Sequence, residues 1–165
     1  MEYLYIGKIV NTHGIKGELR ILSDFEYKDK VFKKGFKFYI GKDHHEEVVL
    51  SYRHHKVFEM VVFEAYNDIN QVLKYLKEDV YINRDDLILD DNEILDKDLI
   101  GLDVYEDNEL LGKVKDVSYA SPKNKLIEVK GTNNKSFYIP YNDNFILDIN
   151  LQDKKIKVKL IKGMI

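Results

Sequence analysis

Apolar and polar residues alternate with a period of two along most of this chain. Ile156, Val158 and Leu160 interleave with Lys155, Lys157 and Lys159, and Leu19 and Ile21 interleave with Glu18 and Arg20. Successive side chains of a strand point to opposite faces, so this pattern predicts strands with one face buried. The same reading predicts strands over Tyr3 to Val10, Phe36 to Ile40, Val48 to Tyr52, Phe58 to Phe63 and Val80 to Ile82 in the first half. In the second half it predicts Gly101 to Tyr105, Leu111 to Val117, Leu126 to Lys130 and Ser136 to Ile139. Asp107-Asn108, Gly131 to Asn134 and Asp153-Lys154 supply turn residues that tolerate left-handed backbone between them.

One segment breaks the alternation. Ile69, Val72, Leu73 and Leu76 fall at i, i+3, i+4 and i+7, the stripe of a short amphipathic helix that plugs one end of a β structure. Asp68 is placed to cap it, and Gln71 to reach back in a capping box. Residues Arg84 to Asp98 carry seven acids against Arg84 itself and the single Lys97, and like charges resist packing into a core. The organisation expected is therefore a first domain over 1–84, an acidic linker over 85–97 and a second domain over 98–165. Five or six short strands on each side suit a small closed or partly open barrel. The fold class expected is all-β: two small β-barrels, with one short helix in the first.

Composition narrows the setting. A hydrophobic share of 44% beside a charged share of 33% fits a globular chain with a buried core. Apolar runs such as Met60 to Phe63 end far short of the roughly 20 residues of a membrane helix. Met1 to Val10 lacks the features of a signal peptide, and the chain has no cysteine. A cytoplasmic protein with no membrane partner is expected. The net charge of −3 excludes an all-over basic nucleic-acid binder. Residues 1–84 nevertheless hold 14 Lys plus Arg against 13 acids, and 85–165 hold 12 against 16, so the first half is the better candidate for RNA.

Gly14-Ile15-Lys16-Gly17 lies between strands, where two glycines mark a turn. Its exposed backbone N–H groups, with His13, Lys16 and Arg20, suit an RNA phosphate, and Arg53 and Lys56 are secondary candidates. Glu18 after the second glycine excludes a P-loop. His44-His45 and His54-His55 are adjacent pairs on strands, so each offers at most one ligand per face, and a metal site is not expected. Solvated surface histidines are the preferred reading. Serines lack a nucleophile-elbow context, no cofactor loop is present, and the carboxylates cluster in the linker, so an enzyme is not expected. Tyr119 and Tyr141 sit near loops, where they are candidates for stacking on a partner.

The run from Ile6 to Ile21, with Asn11-Thr12-His13-Gly14-Ile15-Lys16-Gly17-Glu18 at its centre, resembles the opening signature of the RimM family. The likeness continues through Ser23-Asp24-Phe25, Arg53-His54-His55-Lys56, the Asn67 to Leu76 helix and Arg84-Asp85-Asp86-Leu87. Asp98-Leu99-Ile100-Gly101, Leu111 to Val117 and Ile139-Pro140-Tyr141 then resemble a PRC barrel. The resemblance implies a six-stranded translation-factor-like barrel followed by a PRC barrel. It also implies a non-catalytic, cofactor-free and monomeric ribosome maturation factor. Such a factor assists head assembly and rRNA processing in the small subunit. Its implied partners are the immature small subunit, its rRNA and head ribosomal protein number nineteen. The alternative is an RNA-binding module of the translation-factor kind with no ribosomal-protein partner. Relatives carry an aromatic cluster before Asp-Leu-Ile-Gly, where this chain reads Ile94-Leu95-Asp96. Ile94 and Leu95 are expected to replace it as apolar anchors for the partner protein.

Overall fold

Alternation in the first half becomes a closed barrel. The computed structural model describes residues 1–91 and 93–164, in two compact units, Met1–Asp90 and Asp91–Ile165. The first contains β1 (Tyr3–His13), β2 (Glu18–Leu22), β3 (Lys37–Ile40), β4 (His45–His55), β5 (Phe58–Phe63) and β6 (Asp79–Asn83). They close in the order β1-β2-β5-β4-β3-β6 with antiparallel neighbours, which leaves no sheet edge. Ile6, Leu19, Ile21, Val61, Phe63 and Ile82 point inward and are essentially fully buried. Burial of each contributes roughly 1.5 to 3 kcal/mol. Closure requires β1 to bend, and its register with β6 shifts between Tyr5 and Gly7. A Cβ on Gly7 would lie 2.5 Å from the Leu22 carbonyl oxygen, so glycine alone permits this approach.

The capping box at Asp68 is present: its carboxylate accepts the Asn70 N–H at 2.9 Å, and Gln71 Oε1 accepts the Asp68 N–H at 3.1 Å. The helix it starts differs from the expected one. α2 spans only Ile69–Val72 and continues as a 3₁₀ turn over Leu73–Tyr75. Three residues per turn bring Val72 and Tyr75 onto the buried side and leave Leu73 45% exposed. Three other short turns were not anticipated: α1 (Lys28–Val31), a 3₁₀ turn at Arg84–Asp86 and α3 (Asp96–Leu99). Each is too short for a 3.6-residue period to register.

Two carboxylates lie inside the first unit. Glu47, 5% exposed, accepts the Tyr66 hydroxyl at 2.7 Å and the Tyr75 hydroxyl, with His45 Nε2 at 3.4 Å. Glu59, 2% exposed, accepts the Tyr52 hydroxyl at 2.6 Å and meets His54 Nδ1 at 2.9 Å. Burial, then the bond to the carboxylate, pushes the Tyr52 and Tyr75 phenols well above their ordinary value. A buried carboxylate is tolerable only with such donors around it.

The second unit contains β7 (Asp103–Glu106), β8 (Glu109–Ser121), β9 (Asn124–Gly131), β10 (Ser136–Pro140), β11 (Ile146–Asn150) and β12 (Lys155–Val158). Its six-stranded sheet runs β10-β9-β8-β7-β12-β11, with β12 parallel to β7. Leu99, Val104, Ile127, Ile139 and Ile156 form the centre of its core. β11 was not expected: it has no buried residue, so no alternation marks it. The acidic stretch also differs from a plain linker, because Ile94, Leu95 and Leu99 within or beside it are buried.

Tyr75→Phe is expected to remove one donor from Glu47 and lower stability by about 1 to 2 kcal/mol in chemical denaturation, with no change in strand content by circular dichroism. Limited proteolysis is expected to cut first between Ile88 and Asp91, where the side chains of Ile88, Asp90 and Asp91 are exposed. First cleavage inside either sheet would contradict this placement.

Candidate functional site

The turn between β1 and β2 is held from below. Gly14 and Gly17 both have positive φ, 69° and 92°. A Cβ on Gly17 would meet the Asp68 backbone nitrogen at 3.4 Å, and the Ile69 N–H donates to the Ile15 carbonyl at 2.9 Å. The start of α2 thus docks under the turn, leaving Ile15 and Lys16 exposed. Lys16 makes no ion pair among the described residues.

On the strands that leave this turn, Arg20 Nη2 donates to His13 Nδ1 at 2.8 Å. A guanidinium has no acceptor, so His13 Nδ1 is the acceptor in this bond. The Arg20 guanidinium also lies 5.6 Å from the Phe58 ring centre. The His13 and His55 rings are 6.0 Å apart, which brings the ends of β1 and β4 together. Arg20 and Arg53 both stand opposite Met60 and share a face of β2, β5 and β4. Lys56 sits exposed in the β4–β5 turn with φ 57°. Five of the sequence candidates therefore share one basic region: His13, Arg20, Arg53, Lys56 and, through the turn, Lys16. His55 was missed as a member.

Arg53 is less available than its sequence position implies. Its Nε and Nη2 clamp both Glu18 oxygens, at 2.9 and 2.8 Å. This hydrogen bond is the main cause of a Glu18 carboxyl held below its ordinary value. His55 is pushed down by desolvation first and then by Arg53, Lys56, His13 and Arg20. Of the other histidines, His45 and His54 stay on the surface, 61% and 59% exposed, while reaching buried Glu47 and Glu59, and half-buried His44 stacks on Tyr3.

In the second unit, Asp96 is a hub. It accepts the Tyr119 hydroxyl at 2.6 Å and pairs with Lys125, whose ammonium lies 4.3 Å from the Tyr141 ring centre. Burial, then Asp96 and Asp143, raises the Tyr141 phenol. Tyr119 is 46% exposed. Beside this cluster opens a groove of about 440 Å³, lined by Ile94, Tyr141 and Leu147 with Asp91, Asp143 and Asp148. Ile94 and Leu95 are 9% and 2% exposed, and Ile94 belongs to the core. Burying Leu99 on α3 draws these preceding residues inward. Asp96 and Lys125 carried no sequence signal, because their partners lie 16 to 29 residues away.

The class defined is a tandem all-β protein, a closed six-stranded barrel with a basic hairpin face followed by a six-stranded sheet with an acid-rimmed groove. Residues 4–87 match the RimM N-terminal domain, and 96–164 match the RimM PRC barrel domain. A ribosome maturation factor RimM of Streptococcus thermophilus is 38% identical over 99% of this chain and 98% of its own length. That of Staphylococcus haemolyticus is 37% identical over 97% of each. A solved RimM from Pseudomonas aeruginosa has 20% identity and a TM-score of 0.44 over 97% of this chain and 98% of its own. The chain belongs to the RimM family. No helix among the described residues is long and apolar enough to cross a membrane.

His55 is expected to titrate below 6.5, followed by its ring-proton shifts in an NMR pH series. Arg20→Ala and Lys56→Ala each remove a repelling charge and should move it back up. A lowered histidine value means that protonation opposes folding, so this group's contribution to stability is present at neutral pH and lost as pH falls through the lowered value.

Proposed function

We propose that this chain is a ribosome maturation factor that binds the immature small ribosomal subunit without catalysing a reaction. The basic hairpin face of the first unit contacts small-subunit rRNA, and the second unit contacts head ribosomal protein number nineteen. The observation that carries the reading is the gathering of His13, Arg20, His55 and exposed Lys56 beside the turn that bears Lys16. Phosphate contacts need cations and backbone donors that a rigid element holds in place. The sequence scatters these residues over 44 positions, and the barrel brings them together. RimM-family membership and the names of the relatives support the ribosomal setting. For the second unit, the support is an exposed Tyr119 and a groove whose acidic rim suits a basic ribosomal protein. Such a factor works in the cytoplasm, as a monomer.

The test is sedimentation on sucrose gradients with salt-dependent RNA binding. Wild type is expected to travel with free small subunits and not with mature ribosomes. Lys16→Ala with Arg20→Ala should weaken binding and lower the salt slope by about one unit per lost phosphate contact. Tyr119→Ala should reduce capture of the ribosomal protein and leave that slope unchanged. Equal binding to naked RNA and to subunits, with no capture of the protein, would favour a plain RNA-binding module.

A further inference from the structure

A second face of the first barrel is built from rings. Tyr5 on β1 stands opposite Tyr81 on β6, and Tyr81 stands opposite Tyr39 on β3. Their sequence neighbours Leu4, Ile6, Val80, Ile82 and Ile40 are buried, so these three rings point outward. Tyr3 extends the patch by stacking on His44 at 3.8 Å and 8°, and it meets Tyr39 edge-on at 5.3 Å. Tyr5 and His44 meet Tyr81 at 5.9 and 5.0 Å. Cross-strand aromatic pairs stabilise a sheet, and that accounts for Tyr39, which the other rings cover to 6% exposure. It does not account for Tyr5, left 50% exposed at the top of the patch.

The rim of this face is acidic. Asp79 and Asp24 act on the Tyr5 phenol, and Glu46 and Asp86 on that of Tyr39, in each case after burial, raising both. Asp24, Glu46 and Asp86 are exposed. The bordering cations are answered locally: Lys8 stands opposite Asp79, and Arg84 lies 4.0 Å from Glu2. Stacking platforms for single-stranded nucleic acid pair their rings with a basic groove, whereas this rim repels phosphate. A guanidinium fits both features, since it stacks on a tyrosine face and forms forked hydrogen bonds to a carboxylate.

We propose that the outward face of β1, β6 and β3 formed by Tyr3, Tyr5, Tyr81 and His44 docks an extended, arginine-bearing segment of a basic protein. Guanidinium groups stack on Tyr5 and Tyr81 and pair with Asp24 and Asp79. The site goes beyond the RNA reading, because it shares no residue with the basic hairpin face.

The experiment is fluorescence anisotropy of a labelled Arg-Gly repeat peptide with the full chain, alongside the matching Lys-Gly peptide and a labelled oligouridylate. Wild type should bind the arginine peptide more tightly than the lysine peptide. Tyr5→Ala should weaken it about fivefold or more, and Tyr5→Phe, which keeps the ring, should stay within about twofold. Asp24→Asn with Asp79→Asn should weaken binding and flatten its salt dependence. Lys16→Ala with Arg20→Ala should leave it unchanged, which separates this site from the RNA face. Peptide affinity indifferent to Tyr5→Ala overturns the proposal. So does oligouridylate binding that Tyr5→Ala abolishes while the peptide is unaffected, because the face is then an RNA platform.

Discussion

Strand register in the first barrel is the constraint on which the other features depend. Side chains alternate faces, so a slip of one residue would turn Leu19 and Ile21 to water and drive Arg20 into the core. The same parity places Arg20 and Arg53 on one outer surface and Tyr5, Tyr81 and Tyr39 on another. Closure enforces it, because a shift at one ladder must propagate around all six. The bends that closure needs are confined to bulges, such as those beside Gly7 and between Ile9 and Asn11. Function here is a surface property, but its precision is inherited from the interior.

That interior is not purely apolar. Glu47 and Glu59 sit on β4 and β5 at positions where alternation would call for a hydrophobe, and each is surrounded by tyrosine and histidine donors. Such a carboxylate stabilises little relative to an apolar residue of like volume, yet removing one donor strands a charge away from water. The arrangement ties α2 and its 3₁₀ turn to β4 through Tyr75 and Glu47. The same segment supports the Gly14–Gly17 turn through Ile69 and Asp68. The basic turn is thereby braced by a chain of contacts that ends inside the barrel.

Local features were the legible ones. The capping box at Asp68 and Gln71 was readable because it depends on residues three apart, and the turn at Gly14 and Gly17 because positive φ favours glycine. The apolar stripe of α2 misled, since a 3.6-residue period was projected onto a segment that tightens to three residues per turn. β4 extends through His45 and Arg53 to His55, where polar residues hide the alternation although the ladder to β5 continues. Asp96 was read as one of many solvated acids, and only folding brings Tyr119 and Lys125 to it. The His55 environment was illegible for the same reason: the groups that act on it come from three strands and a turn.

The near balance of charge in the first half, 14 basic residues against 13 acidic, conceals a separation in space. Cations collect around the hairpin ends at Arg20, Arg53 and Lys56, while Asp24, Asp79, Glu46 and Asp86 collect around the tyrosine face. With a screening length of about 8 Å at physiological ionic strength, neighbouring patches of opposite sign on one small barrel act nearly independently. Parity turns these residues outward and their place around and along the barrel assigns them to a patch, β1 giving Tyr5 to one and His13 to the other, so one barrel carries two surfaces of opposite charge. Net charge is then a poor guide to partners, because what a ligand meets is the charge within one screening length of where it lands.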